Sequence, residues 1–196
     1  YTLSLHDALP ISAHIAAPKL VFAIGKLQPD SLSPLLAPFR RAEGTAAFAG
    51  DIAWTRNVLT SSGKLNIENL DFLTPLGKAH AVKTAIAFTS LLPPVTADNQ
   101  DVTIARIDWT LPFSSVDLRF AFNPTTVKVD AVSTDWAQGH AALGAFTINL
   151  ADPANITGAA DLNSIALGAL VTASNLGSKL KLDGKVSGHI PFKVTP

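Results

Sequence analysis

From about Thr45 onward, apolar and polar residues alternate with a period of two, a pattern that forces an extended backbone with two unlike faces. Near the C-terminus, Leu180, Leu182, Val186, Ile190, Phe192 and Val194 share one parity, while Lys179, Lys181, Asp183, Lys185, His189 and Lys193 share the other. Val116, Leu118, Phe120 and Phe122 alternate in the same way with Asp117, Arg119 and Ala121. Val127 and Val129 alternate with Lys128 and Asp130, and Phe146, Ile148 and Leu150 with Thr147 and Asn149. Ala46, Phe48, Ile52 and Trp54, then Leu65 and Ile67, then Val82, Ile86 and Phe88 extend the pattern upstream. Each run therefore presents one apolar and one wet face.

Turn-forming residues separate these runs at Ser61-Ser62-Gly63, Pro75-Leu76-Gly77, Asn123-Pro124, Gln138-Gly139 and Asp152-Pro153. Strands joined by short turns form an antiparallel meander, so a mainly β fold of roughly nine strands is predicted. Two segments leave the period: Ser31–Arg41 and Ser164–Leu176 have helix-like spacing. Asn163 or Ser164 would cap the second and Gly177 would stop it, giving one or two short helices.

The composition makes this arrangement awkward. Hydrophobic residues are 47% of the chain and charged residues only 15%, against about 25% charged in an average soluble domain. A disordered chain is excluded, and no run of apolar residues is long enough for a membrane-spanning helix. A single sheet with so greasy a face must pack on a second sheet or curl around that face as a trough. Formal net charge is zero without basic clusters, which excludes a nucleic-acid interface. The chain has no cysteine, which removes disulfide frameworks and thiolate zinc sites.

Tyr1–Ile11 reads YTLSLHDALPI, which resembles the translation of a common sequencing adaptor at every residue. Residues 1–11 are accordingly expected to be an artefactual segment, and 12–196 the folded part. With no methionine in the sequence, the chain is expected to be an internal or C-terminal piece of a longer protein.

The stretch SSGKLNIENLDFLTPLGKAHAVKTAIAFTSLLP (Ser61–Pro93), the following QDVTIARID (Gln100–Asp108) and the closing Leu180–Val194 resemble the YdbH-like branch of the AsmA/TamB-like bacterial envelope proteins. The succession of phrases in order carries the resemblance. One departure is Asn99-Gln100, where relatives usually have Gly-Gln. The resemblance implies a curled, taco-like β-groove in the periplasm, anchored in the inner membrane through a missing N-terminal segment. It implies passage of phospholipids between inner and outer membranes without chemistry or cofactor, and contact with a small outer-membrane lipoprotein. The lipid groove would be lined by the apolar parity: Val116, Leu118, Phe120, Phe122, Val127, Val129, Phe146, Ile148, Leu150, Leu180, Leu182, Val186, Ile190, Phe192 and Val194. A dicarboxylate-transport label once given to the family finds no support, because Lys and Arg are scattered along the polar parity instead of converging.

Nothing in the sequence composes a catalytic site. Ser61-x-x-Lys64 matches a penicillin-binding pattern, but its Ser-Asp-Asn and Lys-Thr-Gly companions are absent and a solvated hairpin explains it. His80, His140 and His189 lack a neighbouring ligand at metal-binding spacing and read as solvent-facing. Asp98, Asp101 and Asp108 lack the spacing and glycine of a calcium loop, so a polar turn is the simpler account. Asn155-Ile156-Thr157 is a glycosylation sequon by pattern only, and Trp54, Trp109 and Trp136 read as core or groove wall.

Three readings remain: a lipid-conducting bridge segment, a structural envelope domain whose apolar stripe is a closed core, and an enzyme with an unrecognised site. Contact of Phe120, Phe146 and Phe192 with a facing layer would favour the core.

Overall fold

The computed structural model describes residues 11–33, 36–55, 58–174 and 182–195. The adaptor-like residues 1–10, Leu180 and the expected helix stop Gly177 lie outside them.

The strands are β1 (Ile11–Phe22), β2 (Arg40–Thr55), β3 (Val58–Leu73), β4 (Lys78–Leu91), β5 (Pro94–Thr96) and β6 (Gln100–Ile107). They continue as β7 (Phe113–Phe122), β8 (Thr126–Trp136), β9 (Gly139–Leu143), β10 (Phe146–Asn149), β11 (Ile156–Ala166) and β12 (Lys185–Val194). All twelve belong to one antiparallel sheet in the order β1-β2-β3-β4-β6-β7-β8-β9-β11-β12, with β5 paired to β4 and β10 to β8. The sheet does not close: β1 and β12 are its two edges. Pro18 in β1 and Pro191 in β12 each remove a backbone donor from an edge strand, where sheets tolerate proline.

Twelve described strands replace the roughly nine expected. The alternation also starts earlier than Thr45, since β2 begins at Arg40 and β1 at Ile11, which pairs with Trp54. Ser61-Ser62-Gly63 is no turn; it lies within β3. Gly63 stands opposite Gly50 of β2, and a Cβ on either would come 3.0 Å from a methyl of Leu91. These glycines make room for a side chain, and the reversal falls between the paired Thr55 and Val58. The other four turn expectations match the connections that follow β3, β7, β8 and β10. At Asn123, the side-chain Oδ1 accepts the N–H groups of Thr125 and Thr126, each at 2.9 Å.

The first expected helix is corrected. Its described residues hold the end of a 3-10 turn (Pro29–Ser31) and the start of β2, because Pro34 and Pro38 oppose a continuous helix. The second exists as α1 (Leu167–Ala173), but neither Asn163 nor Ser164 caps it. β11 runs on to Ala166, which takes the cap position without a side-chain bond, and the Ser164 N–H donates to Ser187 Oγ at 2.8 Å.

One face of the sheet carries the core. Phe22, Ala42, Ala46, Leu70, Phe72, Ala79, Val82, Ile107 and Val116 form one buried cluster, with Leu20, Leu27, Leu65, Ile67, Val102, Ile104, Phe113 and Val132 packed against it. No second sheet exists among the described residues to cover these side chains. The cover comes from the curl of the sheet and from the segment after β1 that carries Leu27. Register shifts in β1–β2, β2–β3, β3–β4, β7–β8 and β11–β12 supply the bends, since a bulge kinks its strand and raises the local twist.

Candidate functional site

In an antiparallel sheet, residues directly opposite each other share a face. The register therefore draws a line across the whole molecule: Leu20, Ala46, Ile67, Thr84, Val102, Leu118, Val132, Leu143, Ala160 and Ile190, one residue from each strand of the main path. Nine of these ten are apolar, and the hydroxyl of Thr84 donates to the Asp101 carbonyl at 2.7 Å. Further along the strands the face continues as Ala17, Phe48, Leu65 and Ile86, and as Phe120, Val129 and Phe146. Phe122, Val127 and Ile148 form the next row.

One residue along each strand the chemistry inverts. Lys83, Thr103, Asp117, Ser133, Ala142, Asp161 and His189 are register partners on the opposite, outer face. Among the paired strand positions described, the inner face carries no Asp, Glu, Lys, Arg or His. A one-residue slip would exchange the two faces entirely, so the register is strongly specified.

The residues expected to line a groove fall out as follows. Val116, Leu118, Phe120 and Phe122 of β7, Val127 and Val129 of β8, and Phe146 and Ile148 of β10 share the inner face. Val116 and Val129 are buried at its base, and the other six are half-buried. Val186, Ile190, Phe192 and Val194 occupy the same face of edge strand β12, and only Phe192 is half-buried there. Leu150 lies beyond β10 in the following turn, and Leu182 precedes β12; both are exposed. Phe192 lies over Gly158 of β11, where a Cβ would meet its ring at 2.8 Å. Gly188 faces Leu162 beside the β11–β12 register shift, with open space around it.

The aromatic ring contacts lie at one end of the strands. Trp109, Phe113 and Trp136 stack with centroid separations of 5.4 and 5.8 Å, and Phe39 meets Phe72 edge-on at 5.1 Å. At the opposite end, β1–β3 expose aliphatic and indole surface: Ile11 and Leu59 both pair with Trp54, and all three are exposed.

Sequence reasoning missed a charged network on the outer face. His80 is not isolated: its Nδ1 lies 3.1 Å from Asp71 and its Nε2 2.8 Å from Asp108. Lys78 reaches Asp71 at 3.1 Å and Glu43 at 3.7 Å, and Arg106 reaches Asp108 at 2.7 Å. Partial burial disfavours the charge of Asp71, yet the Ala81 N–H, Lys78 and His80 together hold its carboxyl below the usual range. Asp108 is likewise lowered, first by His80 and then by Arg106. His140 and His189 are also paired, with Asp135 at 3.3 Å and Asp161 at 2.7 Å. Neither was visible from local spacing, because the partners meet only through strand pairing. These links tie neighbouring strands on the wet side and leave the inner face untouched.

The described strands thus form an open antiparallel sheet with one long apolar face that is free of charge at its paired positions. The chain belongs to the YdbH-like family, whose model, described as intermembrane phospholipid transport protein YdbH, matches residues 6–196. The family is thus one of lipid transport. No curated protein and no solved structure matches the chain.

Proposed function

We propose that the inner face is a conduit for acyl chains, and that this chain is one segment of a periplasmic bridge carrying phospholipids between inner and outer membranes. The anchor in the inner membrane and the meeting point with the outer membrane, including any small lipoprotein there, would lie outside this segment. The observation that carries the reading is the uninterrupted line from Leu20 to Ile190, crossing ten strands without a charge. At about 4.8 Å per strand, that line is about 43 Å long.

The energetics favour such a surface. Exposing an acyl chain to water costs about 0.8 kcal/mol per methylene, or roughly 12 kcal/mol for a palmitoyl tail. A continuous apolar face lowers that barrier at every point of the path and needs no reaction. Phe120, Phe146 and Phe192 remain only half-buried, as a surface awaiting apolar cover would be. A dicarboxylate site would require cations on this face, and the described pairs place none there.

The test is to purify the full-length protein from its own envelope and identify bound lipids by mass spectrometry. Phospholipid in stoichiometric amount is expected; none above a control protein of similar apolar surface would overturn the proposal.

A further inference from the structure

Past Phe22 the chain leaves the sheet, and Ala23–Leu32 belongs to no strand. Backbone bonds within it are local: the N–H groups of Lys26, Ser31 and Leu32 donate to the carbonyls of Ala23, Gln28 and Pro29 at 3.0, 3.1 and 3.0 Å. Leu27 nevertheless packs against the buried cluster, and Pro29 is buried. Ile24 and Leu32 stay exposed, and Gly25, with φ near +73°, has open space around it. Gln28 holds the segment to β2. Its Nε2 donates to the Ala42 carbonyl at 3.1 Å, and its Oε1 accepts the Ala42 N–H at 2.9 Å. The same Nε2 lies 2.8 Å from the Ala23 carbonyl and 3.1 Å from that of Leu27.

Ala42 offers both of its backbone groups because it lies in a bulge. The β2–β3 register jumps between Arg40 and Glu43, Arg41 has φ near +54°, and the β1–β2 ladder has stopped at Phe22 and Gly44. A carboxamide, with a donor and an acceptor side by side, stands where β1 would have paired had it run on. The cluster that Leu27 touches is also the base of the charge-free line across the sheet. Ala46 belongs to both, and Leu20, Ile67, Val102 and Val132 of that line pack against the cluster as Leu27 does. Leu27 therefore covers the same apolar surface that the strands present, and a neutral amide keeps it there.

Resting on the conduit reading, we propose that Ala23–Leu32 is a strap over one end of the apolar face, with Leu27 in the place of an acyl chain and Gln28 as the fastener. Leu27 and a lipid chain then compete for the Phe22–Phe72 cluster. Gly25 supplies the backbone freedom at the start of the strap. Opening it frees the Ala42 N–H and carbonyl, which sit on a fully buried residue, so the strap stays shut until a bound chain replaces the contacts of Leu27. A closed strap lowers the apparent affinity for lipid in proportion to the fraction of molecules that are open.

The test follows amide hydrogen exchange by NMR in the whole chain, with and without a saturating anthroyloxy-labelled stearate. Exchange at the Ala42 N–H is expected to quicken by about tenfold or more when the probe binds, while amides of β7 and β8 hold or slow. Ala42 exchange that is unchanged or slowed with the probe bound would overturn the strap and leave the conduit standing. Leu27→Ala and Gln28→Ala should each tighten probe binding by about threefold or more, because each weakens the closed state. Unchanged or weaker binding by Leu27→Ala, in a protein with the parent's β spectrum, would likewise overturn the proposal. Should either variant fail to fold, the exchange measurement on the parent chain decides alone. Failure of the probe to bind the parent and both variants would remove the conduit reading, and the strap with it.

Discussion

Gly77 shows how closely single residues constrain this sheet. It sits in the β3–β4 turn with φ near +151°, a conformation that side chains with a Cβ rarely adopt, and a Cβ there would overlap the Asp108 carbonyl. Gly77→Ala should lower stability by roughly 1–3 kcal/mol in urea unfolding, the range for forcing atoms into a packed site. Asp71, two strands' width from that carbonyl, adds an electrostatic test. Its folded pKa lies below the ordinary 3.8, so the unfolded chain binds more protons in that range. Stability from Asp71 is therefore fully present above about pH 4 and is lost as pH falls through the depressed folded value. Thermal melts should show Asp71→Asn less stable than the parent near neutrality, with a shallower loss on acidification; equal slopes would show that another carboxylate governs the acid response.

Strands differ in how plainly their sequences announce them. β7, β8 and β10 alternate large apolar residues with charged or polar ones, so both parities are legible. β1, β9 and β11 place Ala13, Ala17, Ala141, Ala160 and Gly158 at inner positions, where small side chains erase the contrast between faces. Register shifts at Ala17/Leu20 and Leu162/Ile165 then reset the parity midway along β1 and β11. The apolar face was readable for the same reason that the His80 network was not: a face repeats locally, whereas Asp71 and Asp108 stand 9 and 28 residues from His80. Two predictions belong to this scale. Phe120→Asp and Ile148→Asp should impair lipid transport in an envelope-integrity assay, because an unpaired charge in an apolar setting costs several kcal/mol. Substitutions at Arg119 or Thr147, on the outer face, should be silent, since the Arg119–Asp101 pair is exposed and of little worth; equal damage from both faces would contradict a groove. On β12, a photocrosslinker at Val186 should capture phospholipid in cells and one at Lys185 should not. Labelling at both positions alike would place this edge outside the conduit.

For the molecule as a whole, the sheet order follows the chain order almost without exception. Residues 1–10 precede that order, and their adaptor-like sequence leads us to expect that they contribute nothing to it. Removing them should leave the thermal midpoint unchanged; a loss beyond about 1 kcal/mol, the scale of a real structural contact, would show that they belong to the fold. Because each strand of the main path pairs with the next or next but one in the chain, the sheet can assemble hairpin by hairpin as the chain emerges, with the longer closures confined to β1–β2, β9–β11 and β11–β12. The same connectivity makes length an independent variable. Duplicating or deleting one hairpin changes the span by about 10 Å and disturbs only its two neighbours. A protein of this build can thus be retailored to a wider or narrower gap by adding or removing hairpins, with its cross-section and its register rules intact.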